Sequence, residues 1–287
     1  MNGGMASAPG IDAAETGSAV RLFWWKQKPN FGDDLSRHVV AHLAGQPVAW
    51  AAPATADLFA IGSLADKILK THETPRPGQK PILWGTGMLG PVDARLAEIA
   101  DIRALRGPLS ATILGLRGLA LGDPGLFAGD LPLPRPEPDG QIGVILHITQ
   151  DMDRRLLRQL RRTGGFKLID AARLAPEVIH DIAGCRHVYS SSLHGLVVSD
   201  ALGIPNTWLS GPDIHRTAEF KFYDYGLAIG RAFAPPIEAD AIPAHAKRLP
   251  KRQSALPYAR GIETAKTALR AAFPAEFLVA HGANLTN

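Results

Sequence analysis

The run Ser190-Ser191-Ser192-Leu193-His194-Gly195 stands between an apolar strand-like segment, Cys185 to Tyr189, and a helix-like one, Leu196 to Leu202. A helix start of this kind leaves backbone N–H groups unpaired and carries partial positive charge. Small residues let an anion approach those groups. A histidine beside the anion exchanges protons near neutral pH. The fitting ligand is a phosphate or carboxylate, and the fitting chemistry is proton transfer. Ser191, Ser192, Leu193 and Gly195 are expected to bind it, with His194 moving the proton.

A second run, Asn30-Phe31-Gly32-Asp33-Asp34-Leu35, also follows a strand-like segment. Its aspartates either cap a helix or serve a ligand, as base or as clamp on a hydroxyl. Asp33 is favoured for the chemistry, because Asp34 is nearer the helix proper. Arg106 ends a strand beside Gly107-Pro108, and its guanidinium fork suits a carboxylate or phosphate. Arg103 competes from the same strand. Gly62-Ser63 and Gly85-Thr86-Gly87 are strand-end turns where glycine permits close approach. Asp123-Pro124 reads as an exit turn. His147 ends a later strand, and Lys221 is a further source of positive charge. Bland readings stand beside these: a capping or core histidine at 194, a surface arginine at 106, simple turns at the glycines.

These residues need a scaffold that brings strand ends together. Strands are expected at Val20–Trp25, Val48–Ala51, Leu58–Ile61, Ile82–Trp84, Ile102–Leu105 and Leu119–Leu121, with helices such as Asp34–Leu43 and Pro108–Leu114 between them. Four prolines at alternate positions between Leu131 and Gly140 make a stiff connector. Beyond it come a strand at Ile142–Leu146, a helix at Met152–Arg162, a strand at Lys167–Ile169 and a helix at Pro176–Ala183. A strand at His187–Tyr189, a helix at Leu193–Leu202 and a strand at Asn206–Leu209 follow. Such alternation implies an α/β chain with two doubly wound parallel-sheet domains. The expected boundaries are a leader at 1–16, domains at 17–130 and 141–236 around a 131–140 linker, and a basic tail at 237–287 with a closing helix at Ala259–Phe273. Ligands of such sheets bind at the carboxyl ends of strands, where every run above falls.

With 287 residues, 46% hydrophobic and 20% charged, the composition is that of a soluble globular chain. No apolar stretch approaches the ~20 residues that span a bilayer. The first 16 residues lack the pattern of a signal peptide. The lone Cys185 excludes an internal disulfide, fits a reducing cytoplasm and is expected to be buried and inert. A net charge of +4 suits anionic substrates or a membrane surface and does not argue for nucleic acid. No zinc spacing or oxygen-rich metal shell is present in the sequence, so no obligatory metal is expected. Arg154, Arg155, Arg158, Arg161 and Arg162 share one helix, and Lys247, Arg248, Lys251 and Arg252 form a second basic cluster. Each is a solvated face or a docking surface for anionic lipid or a diphosphate carrier.

Taken in order, the runs at 30–35, 61–63, 84–87, 105–110, 121–124, 190–195 and 221–225 resemble those of the polysaccharide pyruvyl transferase family. The likeness extends from about Arg21 to about Gly226. It implies a glycosyltransferase-B-like pair of Rossmann-like domains across a cleft. It also implies transfer of pyruvyl from phosphoenolpyruvate to a sugar diol of a polysaccharide repeat unit, forming a ketal, with no other cofactor. His194 takes the acid role by this resemblance and Arg106 the donor-binding role. The implied partners are phosphoenolpyruvate and a lipid-linked oligosaccharide or polysaccharide acceptor; the lone cysteine points to the cytoplasm, and the basic clusters leave peripheral contact with the inner face of an anionic membrane as one of their two readings. Ser192 stands where many relatives carry an arginine, which removes one positive charge from the donor site. A nucleotide-sugar glycosyltransferase of the same architecture and a non-catalytic carbohydrate-binding relative are the rival readings.

Overall fold

Strands and helices alternate through two parallel sheets in the computed structural model, which describes residues 19–72, 80–150, 153–211, 219–250 and 254–279. The expected leader at 1–16 lies outside these residues. The first sheet is built from β1 (Val20–Phe23), β2 (Val48–Trp50), β3 (Leu58–Phe59), β4 (Ile82–Trp84), β5 (Asp101–Leu105) and β6 (Ala120–Leu121). Between these strands run α1 (Phe31–Ala44), α2 (Ala65–Thr71), α3 (Leu96–Ile99) and α4 (Pro108–Ile113). A 3-10 turn, Pro124–Gly129, leaves the sheet. Residues 131–140 then carry neither helix nor strand.

The second sheet contains β7 (Ile142–Ile145), β8 (Phe166–Leu168), β9 (His187–Ser190) and β10 (Asn206–Trp208), joined by α5 (Arg154–Thr163), α6 (Ala175–Ala183) and α7 (Leu193–Ala201). Beyond it lie α8 (Phe220–Ala228), α9 (Ile242–Ala246) and α10 (Ala259–Ala271). All pairings in both sheets are parallel. The inner strands β4, β7 and β9 are buried along their whole length, as parallel strands covered on both faces must be.

The strand order explains where a ligand can sit. It is β2-β1-β3-β4-β5-β6 in the first sheet and β10-β9-β7-β8 in the second. The chain therefore reverses direction between β1 and β3, and again between β7 and β9. Loops leaving two such strands diverge to opposite faces and open a crevice at the carboxyl edge. The four loops at these reversals carry Asn30–Asp34, Gly62-Ser63, His147 and Ser190–Ser192.

One apolar core runs from the first sheet into the second. It joins Leu35 and Val39 of α1, Trp84, and Phe127 of the 3-10 turn with Ile145, Val188, Val178 and Val198. Trp84 packs edge-on against Phe273 and stacks on Phe127, while its indole N–H donates to Leu269 O of α10 at 2.8 Å. The closing helix thus seals the first sheet. Cys185 is buried, its thiol donates to Asp181 O at 3.2 Å, and burial pushes its pKa up to about 12.

Several boundaries differ from those expected. The first helix begins at Phe31, not Asp34, and its cap is Asn30, whose side chain accepts from Gly32 N. The two aspartates therefore lie within the first turn, where negative charge still favours the helix dipole. β1 stops at Phe23, whose pairing with Phe59 is the last in its ladder with β3. Helices α2, α3, α8 and α9 had no bounds assigned from the sequence. They are short, and tertiary packing rather than periodicity supports them.

Candidate active site

His194 occupies the second position of α7, buried against α1. Its ring lies so close to Gly32 that a methyl there would stand 2.1 Å from Nδ1. The loops leaving β1 and β9 therefore touch, and only glycine at position 32 allows it. His194 Nε2 is buried and has no hydrogen-bond partner among the described residues. It faces Asp123 Oδ2 at 3.8 Å.

Asp123 is the hub of the arrangement. It is fully buried, and Oδ1 accepts from Gly125 N at 2.9 Å to cap the 3-10 turn. Oδ2 accepts from Arg106 Nε at 3.2 Å. Arg106 is itself buried, and its Nη1 donates to Ser63 Oγ at 3.1 Å. A methyl on Gly87 would fall 2.5 Å from the same Nη1, so the β4 loop is packed on the guanidinium face. One carboxylate thus faces both the arginine and the histidine. The sequence reading placed Asp123 in an exit turn and left it out of the site. Its partners are 17 and 71 residues distant in the chain, and no local pattern announces them.

Charge in the site is tuned by burial. Burial lowers His194 to about 4; Asp123 opposes the shift, while Arg106, Lys221 and His147 reinforce it. Burial raises Asp33 to about 7, opposed by a hydrogen bond with Asn30 and by Lys221. Lys221, in the first turn of α8, is lowered to about 8 by burial and by Arg106. Burial thus favours a neutral His194 imidazole and weakens the negative charge of Asp33, while Arg106 and Lys221 lie near them; an anion arriving there raises the His194 pKa.

The remaining expected residues divide between lining and bracing. Ser191 Oγ donates to Gln150 Oε1 at 2.6 Å and accepts from His147 N at 2.9 Å, tying the two loops of the second reversal together. His147 Nδ1 meets Thr149 Oγ1 at 2.7 Å. Ser192 is the N-cap of α7, and its N–H donates to Ser190 Oγ at 3.0 Å. Gly195 admits that same hydroxyl, which a methyl would meet at 2.2 Å. The Leu193 side chain is buried with Leu126 and Trp208. Gly62, at φ +119°, accepts through its carbonyl from Gly87 N and from Thr86 Oγ1, so Thr86 joins the β3 and β4 loops. Gly85, at φ +78°, packs against Pro124.

Asp34 faces elsewhere. It accepts from Arg37 Nε at 2.7 Å and from Ala175 N at 2.9 Å, which fixes α1 to the start of α6. These bonds, with His38 Nε2 3.4 Å away, outweigh burial and hold its pKa well below the usual carboxylate range.

Asp224 was also missed. Its carboxylate accepts from Leu109 N, Ser110 N and Ser110 Oγ, at 2.9, 3.1 and 2.6 Å. It closes the start of α4 from α8. That contact holds Lys221, one turn earlier on α8, toward Arg106 and Asp33.

Residues 23–212 match the family model for polysaccharide pyruvyl transferase. The chain belongs to the polysaccharide pyruvyl transferase family. Every residue named in the site except Lys221 and Asp224 falls within the matched stretch. Among characterised proteins, the chain is 26% identical over 218 residues to the succinoglycan biosynthesis protein ExoV of Rhizobium meliloti, covering 74% of this chain and 66% of that one. An uncharacterized protein of Acanthamoeba polyphaga mimivirus is 29% identical over 168 residues, covering 52% of this chain and 55% of its own. The chain thus spans slightly under two thirds of the first relative and about half of the second. A solved structure, a functionally uncharacterized protein of Klebsiella pneumoniae, aligns at a TM-score of 0.43 and 12% identity over 75% of this chain and 93% of its own. At that score the likeness carries nothing further.

Proposed function

We propose that this pyruvyl transferase family member moves the enolpyruvyl carbons of phosphoenolpyruvate onto two hydroxyls of a saccharide in exopolysaccharide assembly. Two C–O bonds form at the central carbon and its bond to the phosphate oxygen breaks. One hydroxyl proton ends on the methylene carbon, which becomes methyl, and the other leaves with inorganic phosphate. A single observation carries the reading: the buried, unpartnered His194 Nε2 and Arg106 converge on Asp123 at the carboxyl edge of the sheets.

Arg106 and Lys221 supply the positive charge that a carboxylate and a phosphate need. Donor charge raises His194 toward the range of a general acid, and its ring then delivers the proton to the methylene carbon. Asp33, already near neutral in pKa, takes the hydroxyl proton. Two Rossmann-like domains in a glycosyltransferase-B-like arrangement, 17–130 and 141–236, would bring donor and acceptor together across the β1/β3 and β7/β9 reversals.

The test is calorimetric titration of phosphoenolpyruvate into the full chain, with Arg106→Lys beside Arg106→Ala. Binding that weakens in both variants while the fold persists supports the donor site. Absence of binding at millimolar donor, with and without a pyruvylatable saccharide, overturns it.

A further inference from the structure

The outer face of the second sheet is basic in a chain that is otherwise acidic. Helix α5 reads Arg-Arg-Leu-Leu-Arg-Gln-Leu-Arg-Arg-Thr and contains no acidic residue. At 100° per residue, Arg154, Arg155, Arg158, Arg161 and Arg162 fall within an arc of about 120°. Leu156 and Leu160 lie on the opposite side, buried with Phe166, Ile142 and Val144. All five arginines are exposed, and no carboxylate among the described residues lies within ion-pair distance of any of them.

A second segment brings more positive charge to the same layer. Helix α9 packs Ile242 and Ala246, with Leu249 just beyond, into the same apolar cluster as α5. It therefore covers the same face of the sheet, and Lys247 and Arg248 at its end are exposed. Among the described residues the acids nearby are few. Asp153 is engaged as the α5 cap, Glu238 accepts from Ser210 Oγ, and Asp240 is exposed. The whole chain has 31 Lys and Arg against 27 Asp and Glu, so without these seven cations the rest would be net negative. The excess is thus concentrated on one layer.

That layer also shows apolar surface. Leu168 lies two residues after Phe166 on edge strand β8, so it points to the α5 side, and it is 37% exposed.

We propose that the α5–α9 layer is a docking surface for an anionic lipid bilayer. Exposed arginines attract the phosphates of a charged membrane, and an exposed leucine beside them enters the headgroup boundary. The chemistry favours a surface over a nucleic acid, because the charge is confined to one helix stripe and one neighbouring turn rather than to a groove. α5 starts a few residues after His147 and Gln150, so docking would bring the β7/β9 reversal close to the membrane plane. A saccharide carried on a membrane lipid is then presented to that edge.

The test is co-sedimentation with vesicles of phosphatidylcholine alone and of phosphatidylcholine with roughly 30% phosphatidylglycerol. The variants are Arg158→Glu with Arg162→Glu, and separately Lys247→Glu with Arg248→Glu. Circular dichroism and the melting temperature report folding. Expected are binding to the anionic vesicles only, loss on raising salt, and a drop of about tenfold or more in partitioning for the α5 pair. Equal binding to neutral vesicles, no effect of either folded pair, or tighter binding to a DNA duplex at equal phosphate concentration would overturn the proposal. Displacement by free diphosphate at matched charge would do so too, since it would reveal a discrete anion site.

Discussion

Two helices begin at strand ends in this molecule, and they begin differently. The start of α4, after Arg106, is closed from within: Asp224 accepts three hydrogen bonds there, and a methyl on Gly107 would stand 1.9 Å from the Asp224 carbonyl oxygen. The start of α7, at Ser192, has no side-chain cap among the described residues, and its histidine keeps a buried nitrogen without a partner. Both carry the sequence signs of an anion-binding turn. Only the second leaves its polar groups for something else. The first has become structure and serves the site by holding Arg106 and Lys221.

The comparison is broken most directly at α7. His194→Ala should keep the fold and lower turnover by about 10²–10⁴-fold, the worth of a positioned acid or base. Ketal formation measured beside the melting temperature checks it. If activity survives, α7 is as closed a structure as α4.

The glycines separate the two starts next. Gly107→Ala drives a methyl into backbone and should destabilise the protein by about 3 kcal/mol or more, read by denaturant unfolding. Gly32→Ala meets His194 at its ring and at its Cβ, 2.9 Å away, so tilting the ring does not relieve the contact and the side chain is displaced. It should lower kcat by roughly tenfold or more and cost about 1–3 kcal/mol of stability.

Two carboxylates sharpen the contrast. Asp224→Asn should cost about 1–2 kcal/mol, the price of weakened capping bonds. Asp123→Asn removes the charge facing both Arg106 and His194. It should lower kcat more than it raises KM, and move the alkaline limb of the pH profile, set by the protonated His194, downward.

The smallest effect concerns stability against pH. Asp33 is raised to about 7, so the folded state holds a proton that the unfolded chain releases near 4, and stability falls as pH rises between those values. His194 is lowered to about 4, so the unfolded chain binds a proton that the fold excludes, and stability rises with pH between about 4 and 6.5. The two slopes oppose each other over most of this window. The contributions of these two groups should nearly cancel there. Asp33→Asn should expose the rising limb, as a melting temperature that climbs from pH 4 to 6.5.

The alternation of elements and the strand-end runs were legible because short-range periodicity and turn chemistry write them into adjacent residues. Arg106 and His194 could be named from their own loops. Asp123 could not be assigned its role, because an aspartate before proline looks like a turn cap, and it is one as well. Asp34 shows the reverse: its place beside Asp33 suggested the site, but one helical step turns it toward Ala175. Asp224 lies 114 residues from Ser110, and nothing near either residue records the pairing.

The bond from Trp84 to Leu269 spans 185 residues. Strand β4 is thus made 185 residues before the helix position that seals its largest side chain. Contacts of such separation are slow to form. Until α10 docks, the Trp84 and Phe127 face stays open to solvent and to other chains. Folding of this protein is therefore most exposed to aggregation at its oldest sheet, and a chaperone that shields that face while synthesis continues should raise the yield of native chains.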